Sequence, residues 1–236
     1  MKCLVRISFL SDTHTYHKLV TKDLPGGDLL IHAGDITSRG HVQEIKEFCE
    51  WFDGLRNYDY KIFIPGNHDF GFEHNSEKIS EIIDSYKSIH LLQDNSYVFG
   101  EEAYIFGGNH IKIYGSPWQP EFLNWAFNLP RNGWQLKEKW SNIPNDTDIL
   151  ITHGPSYGHL DQLIGRNDHL GCELLADRIE ILKPKIHVYG HIHSGRGYAF
   201  NGNTHFINAS VLDERYRYVY KPLTCDWNPE TNEMIF

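Results

Sequence analysis

Tyr60-Lys61-Ile62-Phe63-Ile64-Pro65-Gly66-Asn67-His68-Asp69 decides how the rest of the chain is read. Its first half is an apolar run with strand character. Its second half breaks at Pro-Gly and presents an amide, an imidazole and a carboxylate in succession. Strands built only for packing rarely end in three chemically active side chains, so other strand ends are expected to gather round this one.

Four other strand ends qualify. A strand over 3–10 leads into Asp12-Thr13-His14, and the run Asp28 to Ala33 leads into Gly34-Asp35. Asp148 to Thr152 is followed by His153-Gly154-Pro155, and Lys185 to Tyr189 by Gly190-His191-Ile192-His193. Open α/β sheets place their sites beyond the carboxyl ends of the strands, so five such ends can share one rim. Residues two apart in extended chain point the same way, which lets Asp12 with His14, and His191 with His193, each face a common cluster. Between the strands, Val42, Ile45, Phe48, Cys49 and Phe52 predict a helix over 42–55, and Ile79, Ile82, Ile83 and Tyr86 another over 76–87. Further helices are expected over 135–142 and 171–182. The short runs Tyr97-Val98-Phe99, Ala103 to Phe106 and Ile111 to Tyr114 suggest hairpins. An ordered aromatic loop is expected over 118–134, and strands over 204–209, 216–220 and 233–236.

With 236 residues, 40% of them apolar and 14% aromatic, the chain is expected to form one α/β domain over 1–236. A net charge of −9 speaks against stable nucleic-acid binding or an anionic membrane surface, because phosphate-backbone affinity rests on Lys and Arg. Cys3, Cys49, Cys172 and Cys225 are widely spaced, which suggests reduced thiols and a cytoplasmic setting. The start, Met1 to Leu10, is too short and interrupted for a signal peptide. No run approaches the roughly 20 apolar residues of a spanning helix.

The seven residues Asp12, His14, Asp35, Asn67, His153, His191 and His193 offer two carboxylates, an amide oxygen and four imidazoles, with no thiolate among them. That chemistry favours Mn²⁺, Fe²⁺, Zn²⁺ or Co²⁺ over Ca²⁺ or a structural zinc cluster. Seven ligands exceed one ion's needs but suit two divalent ions about 3.5–4 Å apart that share a carboxylate. Asp35 is the natural bridge. Two dications against two carboxylates leave a positive site on an acidic protein, which suits a phosphate.

The series Asp12-x-His14, Gly34-Asp35, Gly66-Asn67-His68-Asp69, His153-Gly154 and Gly190-His191-x-His193 resembles the calcineurin-like metallophosphoesterases in order and in kind. The resemblance extends to Ile113-Tyr114-Gly115-Ser116-Pro117-Trp118, Ala126-Phe127-Asn128-Leu129-Pro130, Asp148 to Pro155 and Phe206-Ile207-Asn208-Ala209-Ser210. These are similar to the metallophosphoesterase domain-containing subfamily of class III cyclic nucleotide phosphodiesterases. The resemblance implies a four-layer α-β-β-α sandwich of two mixed β-sheets. It implies that Asp12, His14 and His193 hold one metal and Asn67, His153 and His191 the other, with Asp35 between. It further implies a phosphodiesterase for small phosphodiesters, cyclic nucleotides in particular, acting through a metal-bridging hydroxide with His68 as general acid. Some vertebrate members carry glycine where this chain has His191, so a complete centre is expected here.

Asp69 is expected to support His68 by accepting a hydrogen bond from its other ring nitrogen. Gly108-Asn109-His110 repeats the Gly-Asn-His letters but precedes Ile111 and reads as a turn. His32 and His187 lie within strands and read as core histidines. Trp118, with Phe122, Trp125 and Phe127, is a candidate stacking wall for a base, set against self-packing of the loop. His159 and Arg166 are candidates to reach a phosphate or ribose, set against a solvated loop face. Two alternatives are a phosphomonoesterase or protein phosphatase with the same centre, and a metal-free protein-binding scaffold.

Overall fold

The computed structural model describes residues 4–99 and 110–236. Along the chain run β1 (Val5–Leu10), α1 (His17–Val20), β2 (Gly27–His32), α2 (Val42–Gly54), β3 (Tyr58–Phe63), α3 (Phe70–His74), α4 (Ser76–Asp84), β4 (Ile89–Leu91) and β5 (Asn95–Phe99). There follow β6 (Ile111–Ser116), β7 (Gln119–Pro120), β8 (Asn128–Leu129), α5 (Trp134–Ser141), β9 (Ile149–Thr152), α6 (Glu173–Leu182), β10 (Ile186–Tyr189), β11 (Gly197–Phe200), β12 (His205–Asn208), β13 (Leu223–Asn228) and β14 (Glu233–Ile235).

Two six-stranded sheets result, in the orders β14-β13-β1-β2-β3-β4 and β11-β12-β10-β9-β6-β5. Both are mixed. β1 to β4 run parallel, with β13 antiparallel against β1, while β6, β9, β10 and β12 run parallel, with β5 and β11 antiparallel at the edges. The two-residue alternation of strand side chains explains the layering. Val5, Ile7 and Phe9 of β1, Ile62 of β3, Ile149 and Ile151 of β9, and Ile186 and Val188 of β10 meet in one buried cluster between the sheets. Leu10, Leu30 and Phe63 point the other way, onto Ile45, Phe48, Cys49 and Phe52 of α2 and Ile79 and Ile83 of α4. Leu150 and Tyr189 likewise pack on Leu136 and Trp140 of α5 and Leu175 and Ile179 of α6. The order is therefore helices, sheet, sheet, helices, as the resemblance implied.

Most expected elements lie where the sequence put them. β5 pairs antiparallel with β6 as a hairpin, while Ala103 to Phe106, Gly108 and Asn109 fall outside the described residues. The strand expected over 216–220 is absent. There the Asp213 carboxylate accepts from the backbone of Arg215 and Arg217, 2.9 Å each, and curls the chain into a turn with Tyr216 at φ 57°. β4, β11 and β13 were not anticipated. β13 carries the alternation of a strand, with Leu223, Cys225 and Trp227 directed onto the inter-sheet core and Thr224 and Asp226 between them. Cys49, Cys172 and Cys225 are buried free thiols. No helix among the described residues is long and apolar enough to cross a membrane.

Candidate metal centre

Asp12, Asp35 and Asn67 follow the carboxyl ends of β1, β2 and β3 in one sheet, and His153 and His191 follow β9 and β10 in the other. Four of these loops are tied in pairs by backbone hydrogen bonds. Asp12 N donates to Gly34 O, His14 N to Asp35 O, and Gly190 N to His153 O, each 2.9 Å. Two glycines make this crowding possible. A Cβ on Gly66 would collide with the backbone nitrogen and Oδ1 of Asp35, and one on Gly190 with Asp12 Oδ2 and Ser11 Oγ. Asp12, His14, Asp35 and His191 take positive φ values of 55°, 40°, 54° and 65°. Non-glycine residues hold such conformations at a cost, and they cluster where function requires a fixed geometry.

The structure brings all seven expected ligand residues together. His193 Nε2 lies 3.3 Å from Asp12 Oδ1, His14 Nε2 3.6 Å from Asp35 Oδ2, and His153 Nε2 3.3 Å from the same oxygen. Asn67 Oδ1 lies 2.9 Å from His153 Nε2 and 2.7 Å from His191 Nδ1. Asp12, His14 and His193 hold their donor atoms within 4.8 Å of one another, as do Asp12, Asp35 and His153.

Backbone carbonyls aim the imidazoles. Nδ1 of His14 donates to Thr37 O at 3.2 Å, that of His153 to Ala33 O at 2.9 Å, and that of His193 to Asp213 O at 3.0 Å. With Nδ1 carrying the proton, a neutral ring turns the lone pair of Nε2 inward, the arrangement of a metal-ligating histidine. His14 Nε2 is buried with no hydrogen-bond partner. Buried polar atoms are rarely left so, and a divalent cation fits this set of nitrogen and oxygen donors. The carboxylates are braced too: Asp12 Oδ2 accepts from the Ser210 hydroxyl at 2.7 Å, and Asp35 Oδ1 from the His68 backbone at 2.8 Å.

Charge is finely balanced. Burial opposes ionisation of Asp12 and Asp35, yet His193 beside Asp12 and His153 beside Asp35 hold both well below the ordinary carboxylate range. Burial likewise opposes the charging of His153 and His193, but Asp35 and Asp12 carry each up to about 9. Burial leaves His14 at about 4.

His68 stands at the lip, half-buried. Its Nδ1 donates to Ser38 O at 3.0 Å, its ring meets that of His14 edge-on at 4.5 Å, and Trp125 stacks on it at 4.0 Å. Asp69 does not support it. The Asp69 carboxylate is buried beneath and accepts from Ile36 N, Thr37 N, Thr37 Oγ1 and Gly66 N at 2.6–3.1 Å. Adjacent side chains leave the turn in different directions, so Asp69 clamps the β2 and β3 loops together, and a backbone carbonyl takes the role expected of it. Burial and the nearby Asp35 push Asp69 up to about 7, against the pull of those donors.

The three substrate-contact expectations do not coincide with the cleft above the centre. Trp118 donates to Asp94 at 2.7 Å and lies under Lys139. His159 stacks flat on Phe206 at 3.7 Å, and Arg166 pairs with Asp168 at 2.7 Å in solvent. Packing partners already occupy these side chains. The cleft is lined by Phe122 and Trp125, two of the four aromatics considered for a stacking wall, together with residues such as Leu123, Leu163 and Tyr216, while Trp118 and Phe127 lie outside it. His32 and His187 are core histidines as expected, bonded to Thr13 at 2.9 Å and Thr152 at 2.8 Å.

Two facing mixed sheets with carboxylates and imidazoles crowded at one rim define a metallophosphoesterase, and the chain belongs to the calcineurin-like phosphoesterase family, whose model matches residues 5–195. It is 40% identical over 238 residues to metallophosphoesterase domain-containing protein 1 of Homo sapiens, a match that covers 94% of this chain and 70% of that protein. Among solved structures, TT1561 of Thermus thermophilus matches with a TM-score of 0.67 at 12% identity, covering 98% of this chain and 97% of its own. The phosphopantetheinyl hydrolase of Mycobacterium tuberculosis matches with a TM-score of 0.63 at 18% identity, covering 94% and 97%. These two likenesses show a shared fold. Family membership supports phosphoester hydrolysis.

Proposed function

We propose that the protein is a phosphodiesterase with a dinuclear metal centre that hydrolyses small phosphodiesters, cyclic nucleotides among them, in the cytoplasm. The observation that carries this reading is the inward aim of the imidazoles. Carbonyls of Thr37, Ala33 and Asp213 fix three Nδ1 protons, and the unpartnered His14 Nε2 faces the carboxylates. In this reading Asp12, His14 and His193 hold one divalent ion, Asn67, His153 and His191 the second, and Asp35 both, with Mn²⁺, Fe²⁺, Zn²⁺ or Co²⁺ as suitable ions. When bound, two such ions supply Lewis acidity that activates water and offsets phosphoryl charge.

The chain's own residues do the rest. His68 lies at the lip with one ring nitrogen anchored on Ser38 O, which leaves Nε2 to give a proton to the departing alkoxide. Ser210 keeps Asp12 oriented, and the Asp69 clamp holds the His68 turn against the loop after β2. The test is a panel of 2′,3′- and 3′,5′-cyclic nucleotides, linear diesters and monoesters, assayed with added Mn²⁺. Turnover of diesters above monoesters is expected, and turnover of monoesters alone contradicts the reading.

A further inference from the structure

The cleft above the centre encloses about 520 Å³, and its two ends are unlike. Tyr216 packs against His14 at 4.8 Å and His193 at 5.5 Å, with Glu214 near by, at one end. At the other, Phe122 lies 6.1 Å from His191 with Leu123 next to it in the chain, and Leu163 and Leu170 also line the cleft.

Leu123 is the unusual residue of this apolar end. It is 67% exposed and has φ 52°, a left-handed conformation unfavourable for its side chain. Asn128 holds it there. Its Nδ2 donates to the carbonyls of Phe122 at 3.2 Å and Leu123 at 3.1 Å, and its Oδ1 accepts from Phe122 N at 3.3 Å. The loop over 156–171, which contributes Leu163 and Leu170 to the cleft, is braced in the same manner. Buried Asp161 accepts from Gly158 N and Gly171 N at 3.0 Å each and from His169 at 2.5 Å. Exposed Leu123 and the half-buried Leu163 and Leu170, each on a loop pinned by a dedicated polar side chain, form an apolar lining built before any ligand arrives.

Charge narrows what this end accepts. Arg131 is the lone Lys or Arg among the described residues lining the cleft. Its guanidinium is spent on the carbonyls of Leu170 and Gly171, at 2.8 and 2.9 Å, and on Glu173 at 2.6 Å. The acids Glu121 and Glu214 also line the cleft. A second anionic group at this end meets no uncommitted Lys or Arg among the described lining residues, whereas an apolar one gains by leaving water.

We infer that this end is a subsite for the uncharged, apolar arm of a phosphodiester, an aryl or alkyl group esterified to the phosphorus, and that it disfavours substrates bearing a second anion. The inference rests on the diesterase reading above. It is tested on the Mn²⁺-loaded protein with p-nitrophenyl diesters whose second arm is methyl, phenyl or 4-carboxyphenyl. The expected kcat/KM favours phenyl over methyl by about tenfold, as filling an apolar pocket does, with 4-carboxyphenyl below methyl. Leu123→Gly suits the backbone at that position, and it and Phe122→Ala should each pull the phenyl-to-methyl ratio towards one. A ratio near one in the native protein, a ratio unmoved by both substitutions, or equal use of phenyl and 4-carboxyphenyl arms overturns the subsite. Calorimetric binding of methyl(phenyl)phosphinate and methyl(4-carboxyphenyl)phosphinate, whose P–C bonds are not hydrolysed, makes the comparison without turnover. Selective binding of the phenyl compound with no diester turnover keeps the subsite and overturns the diesterase reading, and equal binding overturns the subsite.

Discussion

The imidazole of His68 lies against the indole of Trp125 with ring centroids 4.0 Å apart and planes at 23°. Arg39 lies 5.1 Å from the centroid of the same indole, and Ala126 N donates to Asn67 O at 3.0 Å, so the tryptophan is fixed relative to the turn that carries His68. A proton donor is useful only when held in reach of the leaving oxygen, and this stack fixes the plane of the ring. Trp125→Leu should therefore cost about tenfold more in kcat for alkyl leaving groups, which need the proton, than for p-nitrophenolate, which does not. Trp125→Phe should recover much of the loss. Equal losses on both leaving groups contradict the positioning role.

The Asp69 clamp predicts a stability effect separable from chemistry. Its carboxylate satisfies three buried backbone N–H groups and one hydroxyl. Asp69→Ala leaves them unpaired and should cost about 3 kcal/mol or more, measured by urea unfolding. A loss below about 1 kcal/mol contradicts the clamp.

The paired charges predict the pH dependence of the metal-free protein. His153 and His193 stand at about 9 when folded, against an ordinary 6.5. The stability they contribute is complete below 6.5 and is lost as pH rises through about 9. Tm of the metal-free protein should fall between pH 7 and 9.5. Metal binding requires the neutral rings and so should release protons at pH 7, read from calorimetry in buffers of different ionisation enthalpy. A Tm that rises across that window contradicts the pairing.

Asp35 lies 3.3 Å from His153 and 3.6 Å from His14, which belong to the two proposed halves of the centre. Asp35→Asn should lower uptake at both metal sites together, whereas His191→Ala should weaken one and spare the other. Elemental analysis after Mn²⁺ loading distinguishes the cases. Loss of a single equivalent from Asp35→Asn contradicts a shared position.

The candidate ligand residues were legible because each lies just past a strand end, and their chemistry stands out against the apolar run before it. The layers were legible for the same reason, since Val5, Ile7 and Phe9 alternate with residues facing the other way. What supports the ligands was not. Ser210 is 198 residues from Asp12, and Trp125 reaches His68 across a loop whose aromatics read as a wall for a base. Asp69 misled because its neighbour in sequence is not its partner in space. Tyr216 was hidden by an alternating pattern, which the turn chemistry of Asp213 overrides.

The central claim is a metal centre distinct from the proton donor, and His68→Ala tests it most directly. Metal content and diester turnover are measured on the same Mn²⁺-loaded sample. The variant should keep close to two metal equivalents per chain, as the native protein should, while its kcat on an alkyl diester falls by roughly 10²-fold or more. Loss of metal in proportion to activity would contradict the assignment and make His68 a ligand.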